Sequence, residues 1–179
     1  MKNKILAVGL FFSGLTCAQP DYVSLKNGIN LIDINADGVK DIIFSAIYDN
    51  NTSHPSQTIN VFIKNKHGGY NIVPYPEASG FTWADVGLSA STTKIYDYKL
   101  IRSQKKYFMV SSEKFVTAQN DSNIYDLTRV KISRYIIVGG GNDPGIPAFQ
   151  WDQAGSYITK EKYNDVDDAL KNIKMDDFK

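Results

Sequence analysis

Residues 33–41 place oxygen-bearing side chains at the spacing of a calcium-binding loop. Ca²⁺ takes about six to eight oxygen ligands, drawn from carboxylates, amides and backbone carbonyls. Such side chains stand here at the first, third, fifth and ninth positions, and Gly38 at the sixth permits the sharp turn. The predicted ligands are Asp33, Asn35, Asp37, Asp41 and the backbone carbonyl of Val39. Because carboxylates this close repel one another until a cation bridges them, we predict one structural Ca²⁺.

The context of this loop differs from that of an EF-hand. The twelfth position, where an EF-hand has a bidentate glutamate, is Phe44 inside an apolar run. A closing acid at the ninth position, between two strand-like segments, resembles the calcium loop of FG-GAP repeats in integrin-type β-propeller blades. A propeller needs at least about four blades, and the sequence has a single copy. The resemblance therefore covers the loop alone, and a polar turn without metal is the alternative.

Aromatic residues in turn-rich segments are candidates for binding a small ligand. Phe81 and Trp83 lie in the irregular segment 74–91, and Trp151 follows the glycine-rich turn at 139–145. Aromatic side chains on loops can line a pocket, so we predict these three as ligand-binding residues. Packing in the core is the alternative for each of them.

The composition excludes several classes of site and partner. A single Cys rules out a disulfide framework and a multi-Cys zinc or iron–sulfur site, and two His are too few for a multi-His metal hydrolase. The formal net charge of +1 gives no broad electrostatic basis for binding nucleic acid or an anionic membrane. With no His or Cys beside the acidic loop, Ca²⁺ is favoured there over transition metals.

Residues 1–18 have the features of an export signal. Lysines precede an apolar run over 5–15, and small residues permit cleavage after Ala18. The run is too short to span a bilayer, so we predict an exported, periplasmic protein whose mature chain, 19–179, is a single domain. A buried first strand or helix is one alternative. A lipid anchor on Cys17 is another, although the residues before Cys17 fit a lipidation motif poorly.

The rest of the chain alternates short strand-like runs with turn clusters, about 8–12 residues apart. The strongly apolar run Asp41–Tyr48 is predicted as a central strand. Residues 124–138 are predicted as a long strand or hairpin arm, and 149–152 with 157–160 as a closing hairpin. We therefore predict a mainly β fold, an antiparallel, sandwich-like sheet domain with one C-terminal amphipathic helix.

A change of period marks that helix. Val166, Leu170 and Ile173 recur at helical spacing, and Asn164 or Asp165 can cap the N-terminus. We predict about three turns, with the apolar side covering one face or one edge of the sheet.

Several short runs, in a fixed order, point to a known family. Residues 24–30 lead directly into the acidic loop, and the tail contains Ser-Arg-Tyr at 133–135, Pro-Gly-Ile-Pro at 144–147 and Lys-Tyr-Asn-Asp-Val at 162–166. This order resembles the carbapenem intrinsic-resistance (CarG-like) proteins of carbapenem-producing enterobacteria over most of the mature chain. The resemblance implies a periplasmic protein that protects the cell from a carbapenem without being a recognised β-lactamase. It implies no catalytic residues.

β-Lactamase motifs give no support for an enzyme. The S-x-x-K pattern begins at Ser91, Ser103 and Ser111. All three copies lie in strand-like segments, where Ser and Lys do not share a helix face, and S-D-N and K-T-G do not occur. We predict that the protein is not an enzyme, with a hydrolase built on an unrecognised carboxylate site as an alternative.

Two functions from different classes follow. The first is non-hydrolytic carbapenem self-resistance, by binding the antibiotic or by shielding its targets. The second is a periplasmic calcium-binding interaction module with no antibiotic role.

Overall fold

The computed structural model describes residues 20–52, 54–76, 80–117, 123–141 and 143–178. The predicted leader, with Cys17, lies outside these ranges, so its cleavage stays a prediction. The described strands are β1 Asp21–Tyr22, β2 Gly28–Ile32, β3 Asp41–Tyr48, β4 Ser56–Lys64, β5 Tyr70–Ile72, β6 Trp83–Ala84, β7 Val86–Gly87, β8 Lys94–Ser103, β9 Lys106–Lys114, β10 Val130–Gly139 and β11 Phe149–Ile158. The helix α1 is Val166–Leu170, and a 3-10 helix follows at Met175–Asp177. Among the described residues, no helix has the length and apolar character needed to cross a membrane.

The strands form two antiparallel sheets. The six-stranded sheet has the order β1-β8-β9-β10-β11, with β7 also paired to β8. The five-stranded sheet has the order β2-β3-β4-β5, with β6 also paired to β4. The chain crosses from one sheet to the other within 83–87, where β6 is followed at once by β7. The predicted mainly β, sandwich-like fold with one helix is confirmed.

A largely apolar core lies between the two sheets. In β3, Ile43 and Ser45 are buried while Phe44 between them is exposed, as expected when successive side chains of a strand point to opposite faces. Tyr98 and Leu100 of β8 enter the same core from the other sheet. The predicted central position of Asp41–Tyr48 is confirmed, since β3 pairs with both β2 and β4.

The helix covers the other face of the six-stranded sheet. Ile101 of β8 and Val110 of β9 are fully buried there against Val166, Ala169 and Leu170. The six-stranded sheet therefore has apolar contacts on both faces. This arrangement explains why buried residues follow one another without alternation in the middle of β9.

The helix α1 is shorter than the three turns predicted. Asp165 is its N-cap, because its Oδ1 accepts a hydrogen bond from the backbone N–H of Asp167 at 2.8 Å. The helix ends after five residues, where the side chain of Asn172 donates to the carbonyl of Asp168 at 3.1 Å. That bond gives the Asp168 carbonyl a donor that would otherwise have to be a backbone N–H of the next helical turn. Ile173 is still buried, so the predicted apolar side is confirmed.

The closing hairpin predicted over 149–160 is wrong. The segment Phe149–Ile158 is one continuous strand paired with β10. Between Ser133 and Tyr135 the register shifts, so the extra residue is absorbed as a bulge. Gly155, with φ of 133°, lies in this bulge, and a conformation open mainly to glycine lets the strand continue where a turn was predicted.

The strand predicted over 124–138 is also shorter than expected. β10 begins at Val130, because the chain just before it is held by an isolated bridge between Thr128 and Tyr163. Both backbone bonds of this bridge form, from Tyr163 N to Thr128 O at 2.7 Å and in the reverse direction at 3.2 Å.

Candidate functional site

The acidic loop wraps around the carboxylate of Asp33. Asp33 accepts hydrogen bonds from the backbone N–H groups of Asp37 and Gly38, each at 3.0 Å. Ala36 and Gly38 have φ of 61° and 88°, and these left-handed residues bend the backbone around the carboxylate. Asp37 in turn accepts from the backbone N–H of Val39 at 2.8 Å and from the Asn35 amide at 2.9 Å.

Asp41 is buried and joins the loop to the sheet. Its two carboxylate oxygens accept backbone N–H groups from Ile34 at 3.1 Å and from Lys64 at 2.9 Å. Burial raises the pKa of Asp41, these two amides oppose the change, and the charges of Asp37 and Asp33 add to the rise. Burial, and to a smaller extent the nearby carboxylates, therefore make the ionised form of Asp41 costly, and a cation in the loop would offset the part that comes from the carboxylates.

The loop places the predicted side-chain ligands close together, but their oxygen atoms already accept hydrogen bonds within the protein. Among the described residues, no three carboxylate, imidazole or thiol groups converge as a ready metal site. The loop oxygens accept backbone amides instead, and an ionised carboxylate oxygen has more than one lone pair to offer.

The structure separates the three aromatic residues predicted to bind a ligand. Trp83 and Trp151 lie in the core between the sheets, with exposed fractions of 1% and 6%, and their rings meet edge to face at 5.6 Å. Phe81, two residues before Trp83, is 49% exposed. The two tryptophans are thus packed against each other, and Phe81 does not join them.

Each of the two tryptophans has a buried indole N–H. Neither Nε1 atom of Trp83 or Trp151 has a hydrogen-bond partner among the described residues. Trp83 also packs against Tyr75 at 4.8 Å and Tyr135 at 5.5 Å, both edge to face. Within such a cluster, ring faces are weak acceptors for N–H groups.

A chain of ion pairs, absent from the sequence-based prediction, joins the two sheets to the helix. The carboxylate of Asp85, at the crossing between the sheets, contacts the ammonium of Lys94 at 2.7 Å and accepts the backbone N–H of Gln57 in β4 at 2.8 Å. Lys94 also contacts Asp97 at 3.2 Å. Lys99 then contacts Asp97 at 3.1 Å.

The chain of ion pairs continues from β8 into the helix. The ammonium of Lys99 contacts Asp167 of α1 at 2.9 Å. A cleft of about 330 Å³ opens beside Lys94, Asp97 and Lys99. Because each of these two ammonium groups already has two carboxylate partners, the cleft is poorly suited to an anionic ligand.

Asp167 makes a pH-dependent contribution to stability. Burial alone would raise its pKa, but the Lys99 ammonium, aided by Lys171, holds the pKa of Asp167 at about 2. A depressed carboxyl pKa stabilises the fold above the unfolded value near 3.8, and this stability is lost as the pH falls towards 2.

We expect Asp167→Asn to lower the free energy of unfolding by about 1 kcal/mol at pH 7, after allowance for solvent screening. The difference from wild type should shrink below pH 4 and vanish only below pH 2, as measured by denaturant titration. Asp168→Asn, which alters a more exposed carboxylate on the same helix, is the matched control. An Asp167→Asn penalty that did not depend on pH would contradict the ion-pair explanation.

A larger cavity, of about 770 Å³, lies between the end of β11 and the C-terminal segment. Its lining residues are Ser156, Tyr157, Ile158, Thr159, Lys160, Glu161, Tyr163, Ala169, Asn172, Lys174, Asp176 and Asp177. Burial is the main cause that raises the pKa of Tyr157, and the hydroxyl therefore stays protonated. This volume falls in the range of small-molecule sites, and the lining combines aromatic rings with both charge signs.

Comparison with known proteins identifies the family. The family described as carbapenem resistance protein CarG-like matches residues 25–172. The chain belongs to the CarG-like family. A crystal structure of CarG superposes on this CarG-like chain with a TM-score of 0.80 and 34% sequence identity, covering 88% of this chain and 98% of that one. A search of curated proteins finds no match. The predicted family resemblance is confirmed, and the chain is associated with carbapenem resistance.

Sequence reasoning missed the ion-pair chain and the cavity of this CarG-like protein. The charges of β8 alternate with large apolar residues, as in Asp97-Tyr98-Lys99-Leu100, which signals a strand with one polar side. Asp167 is distant in the chain from Lys99, and Asp85, although only nine residues before Lys94, lies at the crossing between the sheets, so no local pattern relates either one to β8.

Proposed function

We propose that this CarG-like protein protects the cell by binding a carbapenem without hydrolysing it, in the cavity between β11 and the C-terminal segment. The observation that carries the proposal is the family match over residues 25–172. The cavity adds a place of suitable size, and the family resemblance implies no catalytic residues.

The lining of the cavity suits a compact ring system that carries a carboxylate. Lys160 and Lys174 offer ammonium groups for the carboxylate, and Tyr157 and Tyr163 offer half-buried aromatic surface for the rings. Asn172 supplies an amide that can bond a lactam carbonyl. Acidic residues share the lining, so the ligand carboxylate must sit on the lysine side.

The proposal is tested by titrating the protein with a carbapenem in a calorimeter while following β-lactam absorbance. We expect saturable binding with no loss of absorbance beyond the uncatalysed rate. Lys174→Ala should weaken binding about tenfold, because it removes a charge-assisted hydrogen bond. Lys106→Ala, in the β8–β9 hairpin, is the matched control and should bind as wild type.

The other outcomes distinguish the alternatives. Multiple turnover would show a hydrolase and overturn non-hydrolytic binding. No binding at all would favour target shielding or an interaction module without an antibiotic role. If Lys174→Ala and Lys106→Ala weakened carbapenem binding equally, the binding site would have to lie outside this cavity.

We also propose that the loop at 33–41 binds one structural Ca²⁺ through the ligands predicted from the sequence. The spacing of the oxygen side chains supports this, together with the raised pKa of Asp41 beside two further carboxylates.

For the calcium proposal, at a hundredfold excess of Ca²⁺ over its dissociation constant, we expect about 2.7 kcal/mol of added stability. The readout is the melting temperature with Ca²⁺ and with EDTA. Asp37→Ala should abolish the Ca²⁺-dependent shift, whereas Asp143→Ala, outside the loop, should leave it intact. A wild type that melts identically in Ca²⁺ and EDTA would argue against the site.

We further propose that the protein is exported to the periplasm. Residues 1–18 would direct the chain to the periplasm, where a carbapenem meets its targets, and cleavage would follow Ala18. The intact mass of the protein recovered from the periplasmic fraction tests this. A cytoplasmic protein that keeps residues 1–18 would overturn it.

A further inference from the structure

The guanidinium of Arg134 in β10 lies against two aromatic rings. Its Cζ is 5.2 Å from the ring centroid of Phe108 in β9 and 4.8 Å from that of Phe178. Its Nη2 donates to the carbonyl of Ala154 at 2.6 Å. Among the described residues, no carboxylate lies within ion-pair distance of Arg134, and its buried Nε has no hydrogen-bond partner. A cation that is partly removed from water in this way is attracted strongly by the ring faces.

The ring of Phe178 belongs to the C-terminal segment, residues 174–178. It is 8% exposed, the one buried side chain of these five residues, and it packs edge to face on Tyr157 at 5.2 Å. In the part of the chain that the structure describes, no backbone–backbone hydrogen bond joins this segment to a strand, and the N–H of Asp177 donates to the carbonyl of Lys174 within the segment. Side-chain contacts therefore hold the segment in place, and Phe178 is the most deeply buried of them.

The C-terminal segment also lines the cavity that we propose as the carbapenem site. Lys174 is part of the lining, and so is Tyr157, on which Phe178 packs. Arg134 is not one of the described lining residues, so its guanidinium does not itself face a ligand in the cavity. The contact between Arg134 and Phe178 can therefore affect the ligand only by fixing the position of the lining side chains that the segment carries.

We propose that Arg134 is a positioning residue for this cavity: by holding Phe178, it keeps Lys174 where its ammonium can bond the ligand carboxylate. The inference rests on the proposed carbapenem site. The residues between Lys174 and Phe178 form the 3-10 helix Met175–Asp177, which rises only about 2 Å per residue. The two ends of so short a helical turn move together, so releasing Phe178 would also release Lys174 from the cavity.

The contact is tested first without ligand, by the rate of trypsin cleavage after Lys174. Arg134→Ala should raise this rate about tenfold, because cleavage follows the population of the released segment. Phe178→Leu should raise it similarly, since it keeps an apolar side chain but removes the ring face. Arg102→Ala is the matched control and should be cleaved as wild type, because its guanidinium lies over the Tyr107 ring, at 5.7 Å, and not over the segment. A wild-type rate for either Arg134→Ala or Phe178→Leu would overturn the proposal.

The effect on binding is measured by calorimetric titration with a carbapenem. Arg134→Ala should weaken binding, but by no more than the roughly tenfold loss expected for Lys174→Ala, because it acts through that lysine. The double variant Arg134→Ala/Lys174→Ala should therefore bind no more weakly than Lys174→Ala alone. Additive losses, or wild-type binding by Arg134→Ala, would overturn the positioning role alone. A wild type that binds no carbapenem would overturn the proposed function and this inference with it.

Discussion

Replacing Trp83 with alanine is expected to lower the free energy of unfolding by about 3 to 5 kcal/mol, as large aromatic truncations in cores do. Trp83 is 1% exposed, and its ring contacts Tyr75, Tyr98, Tyr135 and Trp151, so it lies at the centre of the aromatic cluster between the sheets. Removing it would leave a cavity that partners from both sheets cannot fill without moving. Chemical denaturation followed by far-UV circular dichroism gives the change directly.

Phe81→Ala is the matched control for this prediction. It deletes an aromatic ring two residues away, but Phe81 is 49% exposed, so the expected change is within about 0.5 kcal/mol. Similar losses for Trp83→Ala and Phe81→Ala would contradict the core position of Trp83. If Trp83→Ala does not fold, Trp83→Phe should fold with a smaller loss, because a ring remains between the sheets.

Asp41→Ala is expected to lower the free energy of unfolding by about 3 to 4 kcal/mol even without calcium. It would leave the buried amide of Ile34 and the partly buried amide of Lys64 without their carboxylate acceptor, and hydrogen bonds to charged groups contribute about 1.5 to 3 kcal/mol each. The cost of burying the Asp41 charge, seen in its raised pKa, offsets part of this sum. Denaturant titration in EDTA measures the structural contribution free of any bound cation.

Asp37→Ala serves here as the control within the same loop. Asp37 is exposed and bonds only groups of the loop itself, so in EDTA its loss should cost far less than that of Asp41. With Ca²⁺ present, the two substitutions should both abolish the calcium-dependent shift. Equal losses in EDTA would contradict the view that Asp41 joins the loop to β4.

The strands were predictable from the sequence where one face of the strand is buried and the other is exposed to solvent. β3 has the bounds predicted from its apolar run. β11 was not predictable as one strand, because Gly155 suggests a turn locally and is kept in the strand by a bulge against β10. The length of α1 was missed for a similar reason, since the bond that ends it comes from the Asn172 side chain.

The grouping of oxygen-bearing side chains in the acidic loop and the apolar side of the C-terminal helix follow from spacing along the chain, because both depend on residues that are close in sequence. The burial of Trp83 and Trp151 and the pairing of Lys99 with Asp167 do not follow from spacing. They depend on which strands pair and which face of the six-stranded sheet the helix covers. Those choices bring together residues distant in sequence, so they arise only when the two sheets and the helix pack.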